Sequence, residues 1–352
     1  MDAPIALPAE SWTYAFTKLL EMIIARILGT SFLLILLALV ASRLGSRTEL
    51  PTGQFAESTL AEPKPLPWSG RDSSQIPHTR EGELIRYGRL LIAFTADYIG
   101  PGGILSRRGN GMNCQNCHLE AGTKAWANNY GGVYSTYPKF RERRGALESV
   151  YQRVNDCFQR SLNSQPLDSL SREMQAILAY LRWIGAGVPR GVKPLGSGIP
   201  TLTWLNRPAD PELGKALYAG NCQRCHGAEG QGLPYPVQAH AGYLYPPLWG
   251  PKSYTTGAGL YRLSRFAGYI RFNMPQGASF DHPLLSDEQA WDLAAFVNSQ
   301  PRPVRVFPAD WPDISLKPVD HPFGPYSDHF SERQHKFGPF GPIQKAKTGK
   351  KE

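Results

Sequence analysis

The amino-acid sequence predicts a mainly α-helical protein that contains two copies of one helical module. The motif C-x-x-C-H occurs twice, and its first cysteines, Cys114 and Cys222, are 108 residues apart. Each motif lies between two segments with the apolar periodicity of helices, whereas the alternation typical of strands is weak throughout. The closing helices carry an aromatic residue at corresponding places, Tyr180 and Phe296. Two tandem modules are therefore the predicted fold class.

Four segments are predicted to be the principal helices of these modules. In the first copy they are GELIRYGRLLIAFTADYIG before the motif and SREMQAILAYLRWIG after it. In the second copy they are PELGKALYAGNCQRCH, which includes the motif, and LSDEQAWDLAAFVNSQ. Ser286, followed by Gln289 three residues later, has the spacing of a capping box and predicts the start of the last helix.

Composition narrows the class of protein further. With 35 Gly and 31 Pro among 352 residues and only 19% charged residues, the chain is unlike a coiled coil or a long helical repeat. Five cysteines are an odd number, which excludes a fully paired disulfide framework. The net charge of +9 is compatible with many kinds of anionic partner.

The chain is predicted to divide into six segments. They are an N-terminal cytoplasmic segment 1–26, a membrane anchor or signal-peptide core 27–42, a linker 43–77, a first module 78–190, a second module 205–301 and a Pro/Gly/Phe-rich extension 302–352. The uncharged run at 27–42 lies between Arg26 and Arg43. As a helix it is about 24 Å long, which is shorter than the roughly 30 Å hydrocarbon core unless the flanking arginines reach the membrane surface. Both an uncleaved anchor and a cleaved signal sequence remain open.

The two C-x-x-C-H motifs predict covalent attachment of two haem c groups. Two thiols one helical turn apart can form thioethers to the two vinyl groups, and the next residue then presents an imidazole to the iron. A zinc site made from both pairs, or a redox dithiol in a βαβ setting, fits the sequence less well. The modules are thus predicted to be class I cytochrome c-like. Cys114, Cys117, Cys222 and Cys225 would attach the haems, and His118 and His226 would bind the irons.

The second axial ligand is predicted to differ between the modules. In the second module Met274 lies in FNMPQG, 48 residues after His226, and His/Met ligation is the common electron-transfer arrangement. His240 and His282 are the alternatives there. The first module has no methionine at the corresponding place. Its counterpart is Cys157, 39 residues after His118.

Cys157 is predicted to bind the first iron as a thiolate. A free cysteine is by default a small buried apolar residue, but Arg153 and Arg160 stand close to Cys157 in the sequence and would favour its anionic form. His78 and Met174 are the alternative ligands. Thiolate ligation lowers a haem potential and methionine raises it, so electrons are expected to pass from the first haem to the second.

Four longer segments resemble the dihaem thiosulfate dehydrogenases, over about residues 80–343. They are GNGMNCQNCHLEAGT, YPKFRERRGALESVYQRVNDCFQRSLN, PPLWGPKSYTTGAGLYRLSRFAGYIRFNMPQG and the tail DHPFGPYSDHFSERQHKFGPFGPI. The resemblance implies oxidation of two thiosulfates to tetrathionate at the first haem, with some members working in reverse as tetrathionate reductases. It also implies His/Cys ligation of that haem, electron delivery to a cytochrome c or another redox acceptor, and a location outside the cytoplasmic membrane.

The resemblance further implies that Arg143 and Arg153 line the substrate pocket. Arg141 and Arg144 are the alternatives to Arg143 at the first of these two positions. The local charge agrees with a dianionic substrate, since residues 139–160 carry six Lys or Arg and three Asp or Glu. Arginine forks suit sulfonate oxygens as they suit phosphate. Cys157 is in addition a candidate for a transient S–S bond to substrate.

Two other functions remain compatible with these residues. The first is a non-catalytic, membrane-anchored dihaem cytochrome that only carries electrons. The second is an enzyme that loads thiosulfate onto a carrier protein. Nucleic-acid binding is not expected, because no basic helix with base-stacking aromatic residues is present. The expected location is the periplasmic face of the bacterial inner membrane, or the periplasm if the N-terminus is cleaved.

Overall fold

A computed structural model describes residues 17–24, 26, 35, 37, 39, 65–237 and 242–349. The chain forms two units, Met1–Lys64 and Pro65–Glu352. In the first unit residues 17–24 are helical. Apart from residues 35, 37 and 39, the predicted membrane segment 27–42 lies outside the described residues. Among the described residues, no helix has the length and apolar character needed to cross a membrane.

The first repeat of the second unit consists of six helices and one hairpin, preceded by a 3₁₀ turn at Ser73–Gln75. The helices are α1 (Arg80–Ala93), α2 (Thr95–Ile99), α3 (Leu119–Gly122), α4 (Val133–Thr136), α5 (Val150–Arg160) and α6 (Arg172–Ile184). The antiparallel hairpin is formed by β1 (Lys139–Arg141) and β2 (Ala146–Glu148), and a further 3₁₀ turn covers Cys114–Asn116.

The second repeat has a similar order of elements, followed by the extension. It comprises α7 (Pro211–Asn221), α8 (Gln223–His226), the pair β3 (Leu233–Pro234) and β4 (Tyr243–Tyr245), a 3₁₀ turn (Gly259–Tyr261), α9 (Leu263–Asn273) and α10 (Asp287–Ser299). The extension contains a 3₁₀ turn (Ile314–Leu316), α11 (Glu332–Phe337) and α12 (Phe340–Thr348). The predictions of a mainly helical fold and of the four principal helices are confirmed.

The first and last helices of each repeat cross at a glycine. A methyl group on Gly88 of α1 would lie 1.9 Å from the carbonyl oxygen of Ala176 on α6. A methyl group on Gly214 of α7 would likewise lie 2.0 Å from the carbonyl oxygen of Asp292 on α10. Real carbon atoms do not approach oxygen this closely, so both crossings require glycine. The same helix contact is therefore built twice.

Local signals set the helix starts. The Ser286 and Gln289 side chains form the predicted capping box at α10. Ser149 and Gln152 form a second capping box at α5, with the same spacing in the sequence. Helix α7 begins with Pro211 behind Asp210, whose carboxylate accepts hydrogen bonds from two backbone N–H groups.

Two apolar cores hold the unit together. The first is centred on Leu91, Phe158 and Ile184, and the second on Trp291, Leu263 and Leu293. Phe340 and Ile343 of α12 are buried in the second core. The extension also contacts the first repeat, where the Trp311 N–H donates to the carbonyl oxygen of Arg143 at 2.7 Å. The extension therefore packs on both repeats.

Candidate active site

The first C-x-x-C-H motif occupies a fixed 3₁₀ turn beside a cavity. The Asn116 side-chain oxygen accepts a hydrogen bond from the Asn113 N–H at 2.7 Å, which holds the turn closed. His118 Nδ1 lies 2.5 Å from the carbonyl oxygen of Asn128. Because a carbonyl can only accept, Nδ1 carries the proton, which leaves Nε2 with a free lone pair for a metal. Burial lowers the pKa of His118 to about 4, so the imidazole is neutral at neutral pH.

The second motif repeats this arrangement. His226 Nδ1 lies 2.8 Å from the carbonyl oxygen of Pro246, and burial lowers the pKa of His226. Nε2 is again the nitrogen that is left to coordinate a metal. Both motif histidines thus have the tautomer that axial ligation of iron requires.

The motif cysteines form no disulfide bonds, and apolar residues surround them. Burial raises the pKa of Cys114 to about 11, and that of Cys117 and Cys222 to about 12. Zinc sites need thiolates, and among the described residues no group of three or more His, Cys, Asp or Glu side chains is arranged to hold a metal ion. Neutral thiols that face an apolar cavity fit thioether attachment of a porphyrin.

Each motif histidine shares a cavity with the predicted second ligand of its module. A cavity of about 150 Å³ is lined by Cys114, Cys117, His118 and Cys157, together with apolar side chains of α1, α5 and α6. In the second module a cavity of about 330 Å³ is lined by Cys222, Cys225, His226 and Met274. The residues present therefore fit a haem in each module, which the motif residues would hold and which Cys157 or Met274 would adjoin. We call these two spaces the first and second haem cavities.

Three of the four alternative ligands, Met174, His78 and His282, are not among the residues that line these cavities. Met174 is fully buried within α6 and is not among the residues that line the first haem cavity. His78 is exposed and lies 3.5 Å from Arg86 Nη2, and His282 is exposed as well. His240 lies outside the described residues.

A third cavity, of about 330 Å³, adjoins the first haem cavity and is strongly basic. Cys117, His118 and Cys157 line both. None of the described residues that line it carries a carboxylate, and seven carry a positive charge. We call it the basic pocket, and its cations are Lys139, Arg141, Arg143, Arg153, Lys193, Arg262 and Arg265.

The electrostatics of the pocket reflect this excess of positive charge. Burial, together with the positive charges of Arg160 and Arg153, lowers the pKa of Arg143 to about 10. Burial and the neighbouring Arg141 and Arg153 also lower the pKa of Lys139. Burial alone would lower the pKa of Arg153, but electrostatic interactions with Cys157, Tyr137, Glu148 and Asp156 raise it above its ordinary value. An anion in this pocket would relieve repulsion between the cations.

The structure separates the arginines of residues 139–160 into two groups. Arg143 and Arg153 line the basic pocket with Cys157. Arg160, by contrast, is engaged elsewhere, because both of its terminal nitrogens lie 2.7 Å from the Asp310 carboxylate of the extension. Arg144 faces Glu148 and Asp156, at 3.6 and 3.7 Å. The carboxylates of Asp310 and Asp156 therefore offset the positive charge that Arg160 was expected to supply to Cys157.

Lys193, Arg262 and Arg265 were not identified from the sequence. They belong to the segment between the modules and to the start of α9, and nothing in their spacing connects them with Cys157. Arg262 binds Asp320, but Arg265 and Lys193 have no ion-pair partner within residues 65–237 and 242–349. Their position at the basic pocket follows only from the tertiary structure.

Comparison with known proteins gives consistent matches. Residues 106–189 match the family "SoxA/TsdA, cytochrome c domain", and residues 211–301 match the family "Cytochrome c". The thiosulfate dehydrogenase of Allochromatium vinosum is 42% identical over 233 residues, which is 65% of this chain and 82% of that protein. The thiosulfate dehydrogenase of Stutzerimonas stutzeri is 38% identical, over 65% of this chain and 70% of that protein.

A solved structure agrees with these matches. Thiosulfate dehydrogenase (TsdBA) from Marichromatium purpuratum superimposes with a TM-score of 0.61 at 32% identity. The superposition covers 67% of this chain and 50% of that one, so this chain corresponds to about half of the longer protein.

Proposed function

Because the chain belongs to the thiosulfate dehydrogenase family of dihaem c-type cytochromes, we propose that it joins two thiosulfate dianions into tetrathionate and carries two covalently attached haem c groups. In this reaction one S–S bond forms between the two sulfane sulfurs, no bond breaks, and two electrons leave. The acceptor of those electrons is a cytochrome c or another one-electron carrier. The same site serves tetrathionate reduction when the electrons flow inward.

The observation that carries this proposal is the basic pocket beside Cys157. Two thiosulfates bring four negative charges together, and that repulsion must be offset before their sulfurs can meet. A pocket with seven cations and no lining carboxylate does this, because its charges are held in position before substrate arrives. A cytochrome that only carries electrons has no need of such a pocket.

We assign the haem ligands as follows. Cys114 and Cys117 attach the first haem, with His118 and Cys157 on its iron. Cys222 and Cys225 attach the second haem, with His226 and Met274 on its iron. When attached, each haem supplies an iron that exchanges one electron, so the pair matches the two electrons of one turnover. The shared cavities and the protonated Nδ1 atoms support this assignment.

Cys157 lies where it can also react with substrate. As a thiolate it can form an S–S bond with the sulfane sulfur of one thiosulfate and lose two electrons. The second thiosulfate then attacks the sulfane sulfur of this adduct, releases tetrathionate and restores the thiolate. Arg153 lies one helical turn before Cys157 on α5 and lines the same pocket, so its charge stabilises the anions involved. Arg143 supplies a second guanidinium to the same pocket.

The test is direct. Purified holoprotein is mixed with thiosulfate, haem reduction is followed optically, and free tetrathionate is measured by ion chromatography. We expect thiosulfate-dependent reduction and stoichiometric tetrathionate. A spectrum that responds to neither thiosulfate nor tetrathionate would favour the electron-carrying alternative. Product found only on a carrier protein would favour the carrier-loading alternative.

The location is part of the proposal. We infer that residues 27–42 act as a membrane anchor or signal core and that residues 43–352, with the modules at 78–190 and 205–301, lie on the periplasmic side, where c-type haem is attached. The uncharged run between Arg26 and Arg43 supports this. Alkaline washing of membranes, combined with N-terminal sequencing of the mature protein, distinguishes an anchored chain from a cleaved one.

A further inference from the structure

Within residues 65–237 and 242–349, four cations of the basic pocket form no direct ion pair with a carboxylate. Arg141, Arg153 and Arg262 each form an ion pair, at 3.5, 3.9 and 2.5 Å respectively. Within residues 65–237 and 242–349, the other four make none. They are Lys139, Arg143, Lys193 and Arg265. These four cations can face the negative charges of two thiosulfate dianions.

The proposed reaction needs two places for sulfonate groups. Each thiosulfate carries one sulfonate, and the product carries one at each end. Arg143 and Arg153 lie with Cys157 and can hold the sulfonate of one thiosulfate. The sulfonate of the other must lie elsewhere in the pocket, because two sulfonates at a single site would repel each other.

Lys193 and Arg265 converge on the pocket from two different parts of the chain. Lys193 belongs to the segment between the modules, which is fixed to the first module. Asn128 N–H donates to the Gly198 carbonyl at 3.0 Å, and the Asn129 side chain donates to the Gly196 carbonyl at 2.7 Å. Arg265 lies in the first turn of α9 in the second module. Both side chains line the same 330 Å³ cavity.

A buried hydroxyl without a partner lies beside Lys193. Ser197 is only 8% exposed and lines the basic pocket, yet its Oγ has no hydrogen-bond partner among the described residues. A methyl group built on Gly132 would lie 3.4 Å from Lys193 Cγ and 3.7 Å from Ser197 Oγ, so the two side chains share one small recess. A buried hydroxyl normally finds a partner, and an anion oxygen in this recess would provide one.

We propose that Lys193, Ser197 and Arg265 form a second sulfonate subsite. It binds the sulfonate of the second thiosulfate during oxidation and the distal sulfonate of tetrathionate during reduction. This inference rests on the proposed function and adds to it the residues that hold the second substrate. The active pocket is then completed by the second module, so the first module alone would lack half of its substrate contacts.

The same cations could instead neutralise carboxylates of the first haem, since sulfonate and propionate are both anions. The experiment separates the two. Holoenzyme variants Arg265→Gln and Lys193→Gln are compared with Lys252→Gln, which removes one exposed charge outside the pocket. For each, thiosulfate oxidation and tetrathionate reduction are measured at varied substrate, together with the reduction potential and optical spectrum of the first haem.

We expect the KM for both substrates to rise about tenfold in Arg265→Gln and Lys193→Gln, because a hydrogen bond to a charged group is lost. We expect kcat to change less than about threefold, Arg265→Lys to recover much of the loss, and the haem potential and spectrum to stay unchanged. Lys252→Gln should resemble the wild type. Unchanged KM values, or a shifted haem potential with unchanged KM, would overturn the subsite. A wild-type holoprotein that makes no tetrathionate would instead overturn the proposed function, so the two failures are distinguishable.

Discussion

The two modules share one helical frame and differ in what surrounds their haem cavities. The helix crossings at Gly88 and Gly214 have nearly the same geometry, and both motif histidines donate Nδ1–H to a backbone carbonyl. Yet the first haem cavity opens onto seven cations and Cys157, whereas the second is lined mainly by apolar and aromatic side chains around Met274. The frame is suited to holding a haem, and the segments between the helices decide whether it performs chemistry.

The difference arises in the same part of each repeat. Between the motif and the last helix, the first module has the β1–β2 hairpin and α5, which carries Cys157 in its last turn. The second has α9, whose last turn is followed directly by Met274. Both proposed ligands thus lie at the end of a helix beside a haem cavity. In the proposed assignment, exchanging one sulfur side chain for another at this position separates a catalytic centre from a relay.

The largest effect is expected from Cys157→Ala. Removing the thiolate removes both the proposed iron ligand and the reacting sulfur, so thiosulfate oxidation should fall at least about 10³-fold. Ferric-haem spectroscopy should show a change at one haem only. Cys157→Met is the comparator, because it gives the first module the ligand of the second. Retained activity with an unchanged spectrum would show that Cys157 is neither ligand nor reactant.

The next largest effect concerns the pocket arginines. Arg153→Gln or Arg143→Gln should lower kcat/KM for thiosulfate by about 10²- to 10³-fold, since each removes a fixed positive charge that faces the reacting anions. Arg144→Gln is the matched control, because Arg144 stands next to Arg143 but faces Glu148 and Asp156. Equal losses in all three variants would indicate a general charge effect rather than a specific pocket.

The extension should matter for stability more than for chemistry. Asp310→Asn removes the bidentate partner of the Arg160 guanidinium, which is only 8% exposed, and leaves it only the longer contact with Asp156 at 3.6 Å. We expect the free energy of unfolding to fall by about 2 kcal/mol, measured by denaturant titration of the holoprotein. Asp313→Asn on the same extension should change it little, because asparagine caps a turn as well as aspartate does. An unchanged stability in Asp310→Asn would mean that the extension contributes little to the first module.

Met274→Ala tests the relay. The first haem should still be reduced by thiosulfate, whereas the potential of the second should fall and electron delivery to an external cytochrome should slow about tenfold. Potentiometric titration of both haems, with stopped-flow reduction by thiosulfate, measures the two steps separately. Met174→Ala in the first module is the control. Met174 is a buried methionine outside the first haem cavity, so its removal should leave both haem potentials unchanged. A loss of thiosulfate-dependent reduction at the first haem would contradict this division of roles.

The smallest effect concerns salt. A pocket lined by one sign of charge attracts dianions over a distance, so kcat/KM for thiosulfate should fall about threefold as ionic strength rises from about 0.05 to 0.2 M. Steady-state assays with an uncharged electron acceptor isolate the substrate step. The slope should be shallower in Arg265→Gln, which has one charge fewer. A rate that is insensitive to salt would mean that the pocket cations act only at contact range.

Much of the fold was predictable because its signals are local. These signals are the helix periodicity, the capping box at Ser286 and the two C-x-x-C-H motifs. Each is formed by residues that lie only a few positions apart in the sequence. Cys157 could be identified because it occupies the place in its repeat that Met274 occupies in the other. The α5 capping box at Ser149 was equally visible in the sequence but was overlooked.

Which charged side chains line the basic pocket and which form ion pairs elsewhere was not predictable in the same way. Arg153 and Arg160 flank Cys157 in the sequence with similar spacing, yet one lines the pocket and the other pairs with Asp310, 150 residues further along the chain. The difference depends on how the extension returns to α5. No pattern within residues 139–160 contains that information.

By itself the sequence determined the two modules and the attachment of two haems and predicted unequal sulfur ligands, because each depends on residues at short spacing or on a repeat. Only the tertiary structure decided which cations line the pocket proposed for the substrate. Lys193 lines the basic pocket from the segment between the modules, and Arg265 lines it from the second module. Arg160 pairs with Asp310 and does not line the pocket. Electrostatic interactions act through space rather than along the chain, so the anion site exists only once the segments are folded together.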